Sequence, residues 1–414
     1  VARRFISDDE NFTTASSGPL DVRLEEFVLS PPPLSTASLA GWLRLAAAPG
    51  LPAAAWRRLL DAFATPDALF ASTHSALVPL VGDAAARAAL APPPADLARQ
   101  VARTLDWLAQ PGHALVTWGN PAYPPRLATL YDPPPLLYVR GRVALLAARG
   151  IAIVGSRAAT PQGLIDAERF ARALSDAGLA VVSGLARGID GAAHQGGLAG
   201  AGGTLAVVGT GADLVYPARH HALAREIAVR GALVSEWPLG TPARAAHFPQ
   251  RNRLIAALAD GVLVVEAAPR SGSLITARLA NELGRDVFAV PGSIHAPQSR
   301  GCHALLRDGA KLVETVDDIL EEFGLPAARE PGPAAAAPAG EAGAVLAALG
   351  HAPLPPDLLA ARCGVAPDRL PRLLLELELS GQIARLPGGR LVRVVAAPDT
   401  AQTGGGPGVL NFRE

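Results

Sequence analysis

The chain has 414 residues, enough for several domains, and its 37 Lys and Arg balance 37 Asp and Glu. Zero net charge excludes a histone-like, wholly basic mode of nucleic-acid binding but leaves room for a local basic groove. Two cysteines, Cys302 and Cys363, without CxxC partners exclude a disulfide scaffold and a structural zinc site, and no apolar run reaches the roughly 18 residues of a membrane span.

The first residues lack the basic-then-apolar order of a signal peptide, so the cytoplasm is the expected compartment. Lys311 is the sole lysine, and nearly all positive charge is therefore Arg. The chain opens on Val1 and holds no Met, as an alternative start or a start placed too early would give.

Residues 1–35 are polar and then Pro-rich, which predicts a disordered or spurious extension. Residues 36–110 carry short helical patterns broken by Pro and Gly, at Leu39–Ala48, Ala53–Phe63 and Ala95–Leu108. About five helices in a small all-α, SAM/helix-hairpin-helix-like domain fit that pattern. Its plainest role is structural or protein contact, with DNA backbone contact through its turns as the other reading.

Residues 111–325 alternate apolar, β-rich runs with helical patterns. The runs are Ile151–Val154, Leu179–Val182, Thr204–Val208, Ala232–Val234, Gly261–Val265 and Asp286–Val290. The helices fall at Gln162–Ala177, Ile189–Leu198, His220–Arg230, Arg251–Ala259, Leu274–Leu283 and His303–Arg307. This is an α/β pattern, an extended Rossmann-like parallel sheet covered on both faces. Residues 326–340 read as a linker. Residues 341–396 give three short helices and a two-stranded wing around Pro387, Gly388 and Gly389, a winged-helix domain. Residues 397–414 form a Gly- and Pro-containing tail.

Ligands of open α/β sheets bind beyond the carboxyl ends of the strands, so the loops there matter most. They read Gly155-Ser156-Arg157, then Ser183 to Asp190 with Gly184, Arg187 and Gly188, then Gly209-Thr210-Gly211, then Glu266 to Ser273, then Pro291-Gly292-Ser293. Small residues at strand-to-helix turns let backbone amides approach phosphate, and Arg adds a bidentate grip. Neither GxGxxG nor a P-loop is satisfied. Five such loops at one sheet end predict a phosphate-binding edge.

Charge points to a long ligand. From Pro217 to Arg253 six arginines stand against Glu226 and Glu236. Phe248 beside Arg251, Asn252 and Arg253 offers stacking and phosphate contact together, with Arg219 and Arg244 as further candidates. Asp190 reads as a helix N-cap and His194 as a packing residue rather than as an acid/base pair. Glu266 is the best lone carboxylate, expected to pair with a loop Arg. GxSxG and HExxH are absent, and His194, His220, His221, His247, His295 and His303 lack ligand spacing, so no metal and no cofactor is expected.

Several motifs resemble the DNA-processing protein A (DprA, or Smf) family. They are Gly155-Ser156-Arg157, Ser183 to Asp190 with Ala193-His194, Gly209-Thr210-Gly211, Tyr216-Pro217, His247 to Arg253, Glu266, Arg270 to Ala277 and Phe288 to Gly292. Their order covers about half of the chain, and the flanking helical and winged units match the family's three-part layout. The resemblance implies a single-stranded DNA-binding protein that loads the RecA recombinase during natural transformation, dimerises through the Rossmann-like domain and performs no catalysis. Carried over by position, Gly155, Ser156, Arg157, Ser183, Gly184, Phe248, Arg251, Asn252, Arg253, Ser271, Gly272 and Ser273 line the strand-binding pocket. Where some members place Lys after Tyr-Pro, this chain has Ala218 followed by Arg219.

The residues add a mechanism to that expectation: backbone amides and Arg hold phosphates, with little base readout and strong salt dependence. The third helix of the winged unit, near Pro367–Leu379, carries Arg369 and Arg372 against Asp368, Glu376 and Glu378, a poor balance for groove reading. A protein-contact role is expected there. The alternative from another class is a nucleotide-binding or LOG-type nucleotide-hydrolysing enzyme. That type resembles this fold but uses a PGGxGTxxE motif, and Pro291-Gly292-Ser293 is followed by Ile294-His295 instead.

Overall fold

The computed structural model describes residues 34–327, 340–350, 353–386 and 388–394. The expected N-terminal extension, apart from residues 34 and 35, most of the linker, the tail and Pro387 at the wing lie outside the described residues.

The N-terminal unit forms six helices among the described residues where about five are expected. They are α1 (Thr36–Ala46), α2 (Ala53–Phe63), α3 (Pro66–Phe70), α4 (His74–Val81), α5 (Asp83–Ala89) and α6 (Leu97–Leu108). The Ser35 and Thr65 hydroxyls start two of them by accepting the amides of Ser38 at 3.1 Å and Ala68 at 3.3 Å. Helices this short need tertiary packing. Leu39, Trp42, Trp56, Leu59 and Leu77 supply it, and the same core runs into the sheet through Leu115, Leu136 and Tyr138.

The α/β unit follows as β1 (His113–Thr117), α7 (Pro125–Ala128), β2 (Leu136–Gly141), β3 (Gly150–Val154), α8 (Pro161–Asp176), β4 (Ala180–Ser183), α9 (Ile189–Ala199), β5 (Thr204–Val207), α10 (His221–Arg230) and β6 (Ala232–Ser235). Then come α11 (His247–Leu258), β7 (Gly261–Val264), α12 (Ser273–Glu282), β8 (Asp286–Ala289), α13 (Arg300–Arg307), β9 (Lys311–Leu312) and α14 (Asp317–Glu322). All six expected strands are present. The sheet order is β1-β2-β6-β5-β4-β3-β7-β8-β9. β6 through β9 run parallel, and β1 and β2 add an antiparallel edge. β3 to β7 are buried along their whole length, as a sheet covered on both faces requires.

The chain lays down β3, steps outward through β4, β5 and β6, and then crosses back to β7 on the other side of β3. That reversal opens a crevice at the carboxyl ends of β3, β4 and β7. Gly196 lets α9 lie against α8: a Cβ there would collide with the Glu168 carbonyl and stand 2.8 Å from the Ala171 methyl. The winged-helix unit comprises α15 (Glu341–Leu349), α16 (Pro356–Cys363), α17 (Leu370–Leu379), β10 (Ile383–Arg385) and β11 (Leu391–Arg393). Leu346, Leu359, Leu374 and Leu391 are among its core residues.

Candidate nucleic-acid interface

The loops after β3, β4 and β7 are bonded into one block. Ser156 N–H donates to the Glu266 carbonyl at 2.7 Å, and Ile189 N–H donates to the Ser156 carbonyl at 3.2 Å. Gly155 is required because a Cβ there would sit 2.6 Å from Ile189 and 2.8 Å from the Glu266 carbonyl. Ser156 is buried and its hydroxyl accepts Ala158 N–H at 3.1 Å.

The β4 loop is fixed from inside. Asp190 accepts the amides of Gly184 at 3.2 Å and Ala186 at 3.3 Å. It therefore caps this loop, not the helix as expected; Gly188 holds the N-cap position of α9. Burial raises the Asp190 pKa, opposed by Arg251 and the two amides. Leu185 sits in the left-handed region at φ 56°, a costly conformation for a branched residue. Three partners hold it there, beginning with His194 Nε2, which accepts its amide at 3.2 Å, and His220 Nδ1, which meets its carbonyl at 3.0 Å. The third is the buried packing of its own side chain.

His194 is fully buried. The Thr204 hydroxyl donates to the Val181 carbonyl at 2.7 Å, so it accepts from His194 Nδ1 at 2.7 Å. The ring is neutral with its proton on Nδ1, and burial, with His220 and Arg251 nearby, holds its pKa down at about 3. His194 is the packing residue expected.

Three expected contacts face inward. Ser183 is fully buried and donates to the Ile153 carbonyl at 2.7 Å. Arg251 is 3% exposed. Its Nη1 donates to the Gly184 carbonyl at 2.7 Å and to the Val207 carbonyl. Burial lowers its pKa to about 10, with Asp190 opposing, so it stays charged at neutral pH. It ties the β4 and β5 ends together from beneath. Arg253 bonds Glu236 and lies 3.2 Å from Asp132, so two carboxylates consume its charge. Glu266 departs from expectation too. It accepts Thr160 N–H at 2.9 Å and the Thr160 hydroxyl at 2.5 Å, and no arginine pairs with it among the described residues.

The remaining residues form the surface. Arg157, Arg187 and Arg219 are exposed and make no ion pair among the described residues. The Arg157 guanidinium lies 5.5 Å from the Phe248 ring centroid, and Tyr216 stands 5.4 Å from Phe248. Arg187 and Arg219 flank His220; burial lowers its pKa first, the Leu185 carbonyl opposes that, and the two guanidiniums lower it further. Tyr216 is 51% exposed, an aromatic surface signalled in the sequence only by its place before Pro217 in the β5 loop. On the β7 side, Asn252 Nδ2 donates to the Gly272 carbonyl at 3.3 Å, and Ser271 and Ser273 share a 2.7 Å hydroxyl bond at the start of α12. Arg244 lies away from this group, in a cavity wall beside α6.

The geometry revises the expected grip. The amides of Ser156, Ala158, Gly184, Leu185 and Ala186 are bonded internally. The Gly-rich loops thus serve as a rigid platform, and the exposed guanidiniums carry the charge available to a polyanion. Among the described residues no His, Cys, Asp and Glu groups cluster to hold a metal ion, and no helix is long and apolar enough to cross a membrane.

Comparison with known proteins identifies the fold's family. Residues 114–324 match the family model for DNA recombination-mediator protein A, and residues 329–389 match the DprA winged helix domain. Protein Smf of Escherichia coli K12 is 44% identical over 303 residues, 70% of this chain and 80% of that protein. DNA processing protein DprA of Streptococcus pneumoniae R6 is 48% identical over 201 residues, 49% of this chain and 71% of that protein. The crystal structure of DprA from Streptococcus pneumoniae superposes with a TM-score of 0.59 at 35% identity, covering 70% of this chain and 98% of that one. With its sheet and its winged helix each matched by a model of that family, the chain belongs to the DNA-processing protein A (DprA/Smf) family.

Proposed function

We propose that this protein binds single-stranded DNA along the carboxyl edge of the parallel sheet, protects it, and loads the RecA recombinase onto it during natural transformation. The reading is carried by three exposed arginines without ion pairs among the described residues: Arg157 beside the Tyr216–Phe248 ring pair, and Arg187 and Arg219 near His220. Guanidiniums neutralise phosphates and the rings stack bases without choosing among them, which suits a sequence-tolerant strand binder. Asn252, Ser271, Gly272 and Ser273 extend the edge on the β7 side, and Gly155, Ser156, Gly184, Ser183 and Arg251 support it from below. The role is non-catalytic: Glu266, the best lone carboxylate, is spent on Thr160, and the PGGxGTxxE motif is absent. The working unit is a homodimer formed through the Rossmann-like domain.

The test is fluorescence anisotropy with labelled single-stranded and duplex DNA at two salt concentrations. Wild type binds the single strand more tightly than the duplex. Arg157→Ala/Arg187→Ala loses about tenfold or more in affinity, and its salt slope falls by about 1.4, or about 0.7 per lost phosphate contact. Salt-independent binding, or equal binding by the variant, overturns the proposal.

A further inference from the structure

A second cationic site lies where the helical unit meets the sheet. A cavity of about 470 Å³ is lined by Arg99, Gln100 and Arg103 of α6 and by Trp237, Arg244 and His247 from the sheet side. That volume falls within the roughly 300–1,000 Å³ of small-molecule sites. No carboxylate lines it. Arg99 and Arg103 are four residues apart and so share one helix face.

The two sides are fastened together. Arg103 Nη2 lies 2.5 Å from Asp213, whose other oxygen accepts Gly240 N–H at 2.8 Å. Trp237 and His247 stack at 3.8 Å and 14°, a rigid wall. Arg99 reaches only Asp96, at 3.6 Å, and Arg244 makes no ion pair among the described residues. The stacked Trp237 and His247 rings offer a base a flat partner, and the guanidiniums suit its phosphate.

We propose that this cavity holds one nucleotide, with its phosphate on Arg99 and Arg244. The inference rests on the strand-binding reading in one respect: His247 and Phe248 are consecutive at the start of α11, one walling the cavity and the other stacking at the first site. The two sites therefore share the start of α11, and a strand long enough to span both occupies them together. A free mononucleotide presents the same chemistry, and the test separates the two sources.

Full-length wild type and Arg99→Ala/Arg244→Ala are titrated with oligothymidylates of about five and about thirty nucleotides, and with thymidine monophosphate by calorimetry. For the long strand we expect about a tenfold loss in the variant and a salt slope shallower by about 1.4. The short strand, which fills only the first site, keeps its affinity. If the long strand is unaffected but wild type binds the mononucleotide and the variant does not, the cavity serves free nucleotide and the site stands. Dependence of neither ligand on the two arginines overturns it, as does an equal loss on the short strand. If wild type binds no DNA, the strand-binding reading fails by itself, and the mononucleotide titration alone decides the cavity.

Discussion

Arg157 and Arg251 are the same residue type at two loop ends, yet they do opposite work. Arg157 is exposed beside Phe248, whereas Arg251 is buried between two carbonyls. Sequence shows both as candidate phosphate contacts, because the residue type and its place in a loop are visible and its burial is not. Arg251→Ala leaves the Gly184 and Val207 carbonyls without a donor and Asp190 buried beside a lost charge, so it should cost about 3–5 kcal/mol of stability. Arg157→Ala should change stability by no more than about 0.5 kcal/mol. Urea denaturation of both variants checks the contrast, and a mild Arg251→Ala phenotype would return that residue to the binding surface. His194 makes a pH prediction. Its folded pKa of about 3 lies below the ordinary value of about 6.5, so only the unfolded chain takes up a proton between them. The stabilisation is full above about pH 6.5 and falls toward pH 3 at up to about 1.4 kcal/mol per pH unit. From pH 7 to pH 5 wild type should lose about 2 kcal/mol through this group. Asp190, Glu236 and Glu266, whose pKa values burial raises, act in the opposite direction. Comparison with His194→Gln isolates the histidine: the variant, though less stable, should show a flatter acid slope.

At the scale of elements, six parallel strands, β3 to β8, were legible as short apolar runs. The two-residue parallel strand β9 was not, and neither were β1 and β2. These last two are separated by the Pro-rich segment 121–135, and β1 is a five-residue edge strand whose pairing partner lies across that segment. The start of α8 was placed within a residue, but its fastening was invisible. The Thr160 hydroxyl accepts Gly163 N–H at 3.0 Å while donating to Glu266, a carboxylate from a strand end 106 positions away. Thr160→Val removes both bonds and leaves Glu266 half-satisfied in a buried place. It should cost about 2 kcal/mol, the upper range for a lost N-cap. It should also raise the Glu266 pKa further, since the bonds lost favoured the charged form. Carbon-13 NMR of labelled Glu side chains reads the second effect, and an unchanged titration would mean that other partners hold the carboxylate.

For the whole molecule, the three-part layout divides the work. The sheet edge carries exposed cations without ion pairs, whereas the arginines at α17 are engaged: Arg372 with Glu376 at 2.9 Å, Arg369 with Glu341 at 2.7 Å and, from β10, Arg385 with Glu378 at 3.4 Å. A helix whose charges are spent among themselves has little to offer a phosphate backbone. It does expose Leu375 and Leu379, at 56% and 80%, one turn apart on one face. Paired exposed leucines in an acidic setting suit a protein surface better than a DNA groove. For the protein-contact role expected from the charge balance, this is the surface to test. Leu375→Asp/Leu379→Asp in the full chain should leave single-strand affinity within about twofold, because it removes no cation. On the proposed RecA-loading role, the same variant should lose stimulation of RecA filament formation on single strands. Retained stimulation with weakened DNA binding would assign the winged helix to the nucleic acid instead.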